Sequence, residues 1–349
     1  MKVFSPTPKA ANSFFDEITF HSKNEFIHGD FEAYTSSYKV VLLQWPEQIF
    51  GWKEPSDDQL EYLSQEIQKW KKSSKIIYIV HNKKPHLGMT QQFQKLYDLV
   101  EGASDVMLHF GQYSKDYYQE KYKNKTHSIL KHPLYRRSFS THDKAEAREK
   151  LGIQEDREVV IAPGKIRTLK ERNFILNAFQ KIKNENKTLI APNMFWKESK
   201  IDFIGRHRLK KVIDVKKRIE NKIHSPYKPP TYIFNYNYTQ ADRLSLLMAA
   251  ADVVFLPRMK TLNSGNLYLG LTFNKIVVGP ETGNITEELK KSNFPIFQPE
   301  NVDSVVSAIE KGLALTHQVE AVYNAIDLQE YEPTTIAREL DQILQNITV

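Results

Sequence analysis

Apolar positions along the chain follow two alternating rhythms. Short apolar runs closed by turn residues occur at Met1–Phe4, Tyr38–Leu43, Lys75–Val80, Asp105–Leu108 and Thr126–Leu130, and again at Glu158–Ala162, Thr188–Ala191, Tyr232–Phe234, Val253–Leu256 and Ile276–Val278. Such runs predict strands buried on both faces. Helical spacing fills the intervals. Leu60, Leu63, Ile67 and Trp70 share one face of a helix over Ser56–Lys72, and further helices are predicted over Gln91–Val100, Tyr113–Tyr122, Phe174–Ile182, Ala241–Ala250, Leu267–Phe273, Val302–Ala314 and Pro333–Asn346. Proline suits the first turn of the last one. Strands alternating with helices predict an α/β chain of parallel sheets with crossover helices.

A charged stretch over Arg136–Asp156 interrupts the alternation. It divides the chain into a domain over residues 1–140, a second over 141–328 and a terminal helix over 329–349. At 349 residues there is enough chain for two cores, and 40% hydrophobic with 26% charged residues is a globular balance. The apolar run Leu246–Leu256 is broken by Asp252 and too short to span a bilayer. The N-terminal residues lack the continuous apolar core of a signal peptide, so a cytoplasmic protein is expected. With no cysteine, disulfides and thiolate metal sites are excluded. The net charge of +7 is uneven: Lys197–Lys222 holds ten Lys/Arg against four Asp/Glu. That block suits an anionic partner such as a membrane surface, or it is a solvated basic helix. It lacks the interleaved aromatics of a nucleic-acid binder, so no nucleic acid is expected as partner.

Candidate chemistry collects at the ends of the predicted strands, where open parallel sheets bind ligands. In the first domain these residues are Trp45, Glu47, His81, Asn82, His86 and His132. In the second, Gly164, Lys165, Arg167 and Lys170 follow a strand and open a helix, a credible diphosphate grip of charge, N–H donors and close approach at glycine. Asn263, Ser264 and Gly265 precede another apolar helix. They fit a phosphate site at a helix N-terminus, and equally an ordinary capped helix.

The ordered set of motifs resembles the family 4-like glycosyltransferases of GT-B fold. Gly164, Lys165 and Lys170 match that family's Gly-Arg-x4-Lys loop, with lysine in place of arginine. Ala251-Asp252 with Val253–Pro257 matches its Ala-Asp strand, and Leu262-Asn263-Ser264-Gly265 is similar to one branch's helix start. Trp45-Pro46-Glu47, His81-Asn82, Pro85-His86 and His132-Pro133 with Tyr135 resemble the same branch in the first half. The family's pair of glutamates falls on Thr261 and Leu269, neither acidic.

The resemblance implies two Rossmann-like domains facing across a cleft, with the last helix packed back on the first domain. It implies transfer of a sugar from a nucleotide-diphosphate donor to a glycan or lipid-linked acceptor in polysaccharide or lipopolysaccharide synthesis, with retention and no metal. The chain has no Asp-x-Asp metal motif. Apart from the donor substrate no cofactor is expected. His81 would contact the sugar or the departing phosphate; Glu47 suits an acceptor base and equally a structural acid after proline. Trp45, Asn82, His86 and His132 would line the acceptor side. Lys197–Lys222 would hold the protein at the inner face of the membrane. Two other readings stay open: a catalytically inactive GT-B-like binding protein, and a sugar-nucleotide epimerase or hydrolase on the same fold.

Overall fold

A computed structural model describes residues 1–9, 13–85, 88–196, 222 and 225–348. His86 and nearly all of Lys197–Lys222 lie outside these described residues. The first half runs β1 (Lys2–Ser5), α1 (Ser13–Thr19), β2 (Glu25–His28), β3 (Val40–Leu43), α2 (Asp57–Trp70), β4 (Lys75–Ile79), α3 (Gln91–Ala103), β5 (Val106–His109), α4 (Gln112–Lys121) and β6 (Thr126–Ile129). The second runs α5 (Lys144–Leu151), β7 (Glu158–Ile161), α6 (Leu169–Lys181), β8 (Lys187–Ala191), β9 (Tyr232–Phe234), α7 (Ala241–Ala250), β10 (Val253–Phe255), α8 (Gly265–Thr272), β11 (Ile276–Pro280), α9 (Gly283–Lys291), β12 (Ile296–Phe297), α10 (Val302–Leu315), α11 (Val319–Asn324) and α12 (Pro333–Thr348).

Each half builds a six-stranded sheet, ordered β2-β1-β3-β4-β5-β6 and β12-β11-β10-β7-β8-β9. Their pairings are parallel. The strand period of two distributes the apolar run of β3 to both faces. Val41 and Leu43 pack with α2 and α3 residues such as Leu63, Trp70 and Leu96. Val40 and Leu42 pack on the opposite side with Phe14, Phe15 and Ile18 of α1. Ile336, Ala337, Leu340 and Leu344 of α12 join that second cluster, so the last helix lies on the first half. Helix α2 starts where Ser56 and Gln59 cap each other reciprocally, at 3.2 and 2.9 Å.

The sequence-based elements pass over five that the structure contains: α1, β2, α9, β12 and α11. Strand β2 is an edge strand of four residues with no buried position, and β12 has only two residues. Neither presents the buried run that marks the other strands.

The two halves meet at the end of α4. Its N-cap is Gly111, which offers no side-chain acceptor, so its first N–H groups need partners from elsewhere. Helix α9 of the other half supplies them. Glu287 accepts from the backbone N–H of Gln112 at 2.8 Å and from that of Tyr113. Asn284 Oδ1 accepts from the N–H of Ser114 at 3.0 Å, and its amide donates to Ser114 Oγ at 2.9 Å. Leu262, from the loop after β10, is buried within the first half's core cluster. A buried leucine stabilises by about 1.5–3 kcal/mol and a helix cap by about 1, so apolar and polar contacts hold the halves together comparably. Glu287→Ala is expected to lower unfolding free energy by about 1 kcal/mol. A urea midpoint equal to that of the wild type would contradict this capping role.

Candidate active site

The carboxyl ends of both sheets open on one cleft, which holds two adjoining chambers. The inner chamber, about 390 Å³, is lined from the first half by Phe14, Trp45, His81, Asn82, Phe110, His132 and Tyr135. These sit on α1 and just beyond β3, β4, β5 and β6, so successive crossovers deliver them to one edge. From the second half come Gly164, Lys165 and Arg167 after β7, Pro257 and Arg258 after β10, and Thr261 with Asn263 to Asn266 at the start of α8.

His81 is clamped in this wall. Its ring stacks on Trp45 with centroids 3.9 Å apart at 22°. Phe14 and Phe110 approach it edge-on or nearly so, each at 5.1 Å. Its backbone carbonyl accepts from Asn263 Nδ2 at 2.7 Å, and Asn284 Nδ2 donates to Asn263 Oδ1 at 2.7 Å. Asn263 thus joins the two halves through its side chain, while the residue itself stays in the chamber lining. Ser264 occupies the N-cap of α8 without a side-chain cap bond, which leaves its first turn facing the chamber. That is the geometry that favours an anion.

Two glycines are needed for close approach. A Cβ on Gly164 would stand 2.5 Å from Asn266 Nδ2, and one on Gly265 would stand 2.6 Å from Tyr135 Oη. A larger residue at either position would displace the Asn266 amide or the Tyr135 ring from its place in the chamber wall.

Positive charge gathers on the second-half wall. Arg258 donates to the Lys165 carbonyl at 3.0 Å, and its Nε lies 3.8 Å from Glu171. Glu171 also accepts from the Arg167 backbone N–H at 2.8 Å. Withdrawal from water, and then the Arg258 charge, lower the pKa of Arg167. Two guanidiniums held together with one carboxylate suit a multiply charged anion. Lys170 does not share this inner chamber. It lines the outer one, with its Nζ 2.8 Å from Glu300.

Glu47 is placed elsewhere. It is 2% exposed, lines neither chamber and accepts from Tyr97 Oη at 2.8 Å. Its position in the short 3-10 turn Pro46–Phe50 carries it beneath α3, so the acceptor-base expectation has no geometric support. Thr261 lines both chambers, its hydroxyl donating to the Asn263 carbonyl at 2.7 Å, whereas Leu269 is buried in the second-half core. The site residues that the sequence motifs pass over are Phe14, Phe110, Glu171, Arg258 and Asn266. Arg258 had a visible signal, a cation directly after the proline that closes β10.

His132 is a neutral member of the wall. Its Nδ1 bonds the Pro133 carbonyl at 2.8 Å, which fixes the proton there and leaves Nε2 to accept from Tyr135 Oη at 3.3 Å. Burial pushes its pKa down to about 3. Away from the cleft, burial and then the neighbouring His127 lower His109 to about 3 as well. An unfolded histidine protonates near 6.5, so between about pH 6.5 and 3 the unfolded chain binds more protons. Stability is then complete above the unfolded value and falls on acidification, by about 1.4 kcal/mol per pH unit for each histidine. Urea midpoints between pH 7 and 5 should fall accordingly, less steeply in His109→Phe. A flat profile would contradict the buried neutral state.

No protein-family model matches the sequence. No curated protein matches it either. Solved structures do match. HepE of Anabaena, determined with UDP-glucose, superimposes with a TM-score of 0.66 at 12% identity, over 99% of this chain and 100% of that one. A glycosyltransferase from Rickettsia africae gives 0.64 at 12% identity, over 99% and 98%. Sucrose-phosphate synthase from Thermosynechococcus elongatus gives 0.62 at 11% identity, over 89% and 74%. At such identities the likeness is one of fold: two facing Rossmann-like domains, the GT-B arrangement.

Proposed function

We propose that this protein is a glycosyltransferase that moves a sugar from a nucleotide-diphosphate donor to a glycan or lipid-linked acceptor. The observation that carries the reading is the inner chamber itself. It sets Arg167, Arg258, Lys165 and the start of α8 opposite His81 and Asn82 on the facing half. When the bond from the anomeric carbon to the diphosphate oxygen breaks, negative charge grows on the leaving group. In this reading the two arginines, Lys165 and the first-turn N–H groups neutralise that charge. In this reading His81, in the wall contributed by the first half, donates to the sugar or the departing oxygen. The acceptor oxygen gives up its proton as it bonds to the anomeric carbon, and the departing diphosphate is the nearest base. Retention follows from the family resemblance, and anomeric analysis of the product tests it.

UDP-sugars are the first donors to test, because HepE was determined with UDP and with UDP-glucose. UDP-, GDP- and ADP-sugars would be followed for nucleotide binding and release in the presence of a chelator. One donor should bind and turn over, with its sugar recovered on an acceptor. Thr261 and Leu269, standing where the resembled family has glutamates, favour a second reading as a binding protein without turnover. Binding with no release would select that reading, release of free sugar would select a hydrolase, and no binding would overturn all three.

Among the described residues no helix is long and apolar enough to cross a membrane. We further propose that the basic block Lys197–Lys222 holds the protein at an anionic leaflet, each well-placed cation adding about 1 kcal/mol before salt screening. Vesicles with anionic lipid should co-sediment the protein at low salt and release it at high salt. Equal behaviour with neutral vesicles would leave the block as solvated surface.

A further inference from the structure

We propose that the outer chamber receives the acceptor, and that the acceptor carries an anionic group, phosphate or carboxylate, recognised by Lys83, Lys84 and Lys260. The inference rests on the donor occupying the inner chamber. The outer chamber, about 700 Å³, is of a size that takes a small molecule or one or two sugar rings. It shares Asn82, Arg167, Glu171, Pro257, Arg258 and Thr261 with the inner one, so a ligand seated in it reaches the junction beside His81.

Its charge is lopsided. The two lining carboxylates are already engaged: Glu300 lies 2.8 Å from Lys170, and Glu171 lies 3.8 Å from Arg258. Lys83 and Lys84 reach the chamber from the turn after β4, and Lys260 from the loop after β10. Among the described residues none of these three lysines makes an ion pair within the chamber, although Lys260 adds to the field that lowers the Glu300 pKa. The cations of the two halves thus face one space that holds no free counter-charge, which is the arrangement an anion completes.

Lys83 is also pre-positioned. Its Nζ sits 3.6 Å above the Tyr117 ring and 4.7 Å from that of Tyr113, and donates to Tyr113 Oη at 3.3 Å. A lysine held by two rings loses less freedom on binding than a free one. Tyr113 lines the chamber and is 46% exposed, offering an aromatic face to the C–H side of a sugar ring.

The test uses the full chain saturated with UDP and three probes: p-nitrophenyl glucuronide, glucose 6-phosphate and p-nitrophenyl glucoside. Ligand-observed NMR titration should show the better of the two anionic probes binding about tenfold tighter than the neutral glucoside, with the preference weakened by salt. The tighter anionic probe tells carboxylate from phosphate. In the double variant Lys83→Ala/Lys84→Ala the preference should largely vanish while UDP affinity stays unchanged. Equal binding of charged and neutral probes, an unchanged preference in the double variant, or probes that bind the UDP-free protein but not the UDP-saturated one would each overturn the proposal. Failure of UDP itself to bind would instead show that the donor reading is at fault, and this inference would fall with it.

Discussion

Replacing His81 with alanine is expected to lower donor turnover by about 100- to 1000-fold, the usual loss when one donor to developing charge is removed. The expectation comes from placement. Trp45, Phe14 and Phe110 hold the ring on three sides, and Asn263 of the other half holds its backbone. A ring so fixed spends little free energy on orientation during the reaction. Alanine also removes packing, so the rate loss must be separated from loss of fold. His81→Phe keeps an aromatic ring against Trp45 but has no nitrogen, and should lose rate comparably while unfolding at nearly the wild-type midpoint. Full turnover in either variant would remove His81 from the chemistry.

The second large effect is on donor binding. Arg167→Ala should weaken nucleotide-diphosphate affinity about ten- to a hundredfold, the equivalent of roughly 1.5–3 kcal/mol for a charge-assisted bond. Withdrawal from water, and after it the neighbouring Arg258 charge, disfavours the charged form of Arg167. Removing one therefore relieves repulsion in the unliganded protein while it weakens the complex. Calorimetry should show the affinity loss with no loss of unfolding free energy. Lys170→Ala should cost less, because Glu300 already neutralises that lysine outside the inner chamber. Unchanged affinity in Arg167→Ala, or a greater loss in Lys170→Ala, would contradict the assignment of the diphosphate to the inner chamber.

Much of the architecture was legible because burial writes itself into sequence. Val40–Leu43 and Ile276–Val278 are buried on both faces, and continuous apolar runs are what such strands require. The edge strand Glu25–His28 has no such requirement, and α9 shows only Ile285 and Leu289 as its apolar face because Asn284 and Glu287 serve the junction. The site divides in the same way. Trp45, His81 and His132 could be grouped because each follows a strand, and strand ends share one edge. Glu47 also follows a strand, but the 3-10 turn rotates it under Tyr97, and local sequence does not encode that rotation. The local sequence around Asn263 suggests a cap or a phosphate site. Its partner is the His81 carbonyl, more than 180 residues away in sequence, and only the packed halves reveal that contact.

The most direct test of the account is a crystal structure of the protein with UDP-glucose, or with whichever donor the binding screen selects. The account predicts the diphosphate between the Gly164–Arg167 loop and the first turn of α8, within hydrogen-bonding distance of Arg167 or Arg258, with the sugar turned toward His81. A donor bound outside the cleft, or a cleft left empty at saturating donor, would contradict it.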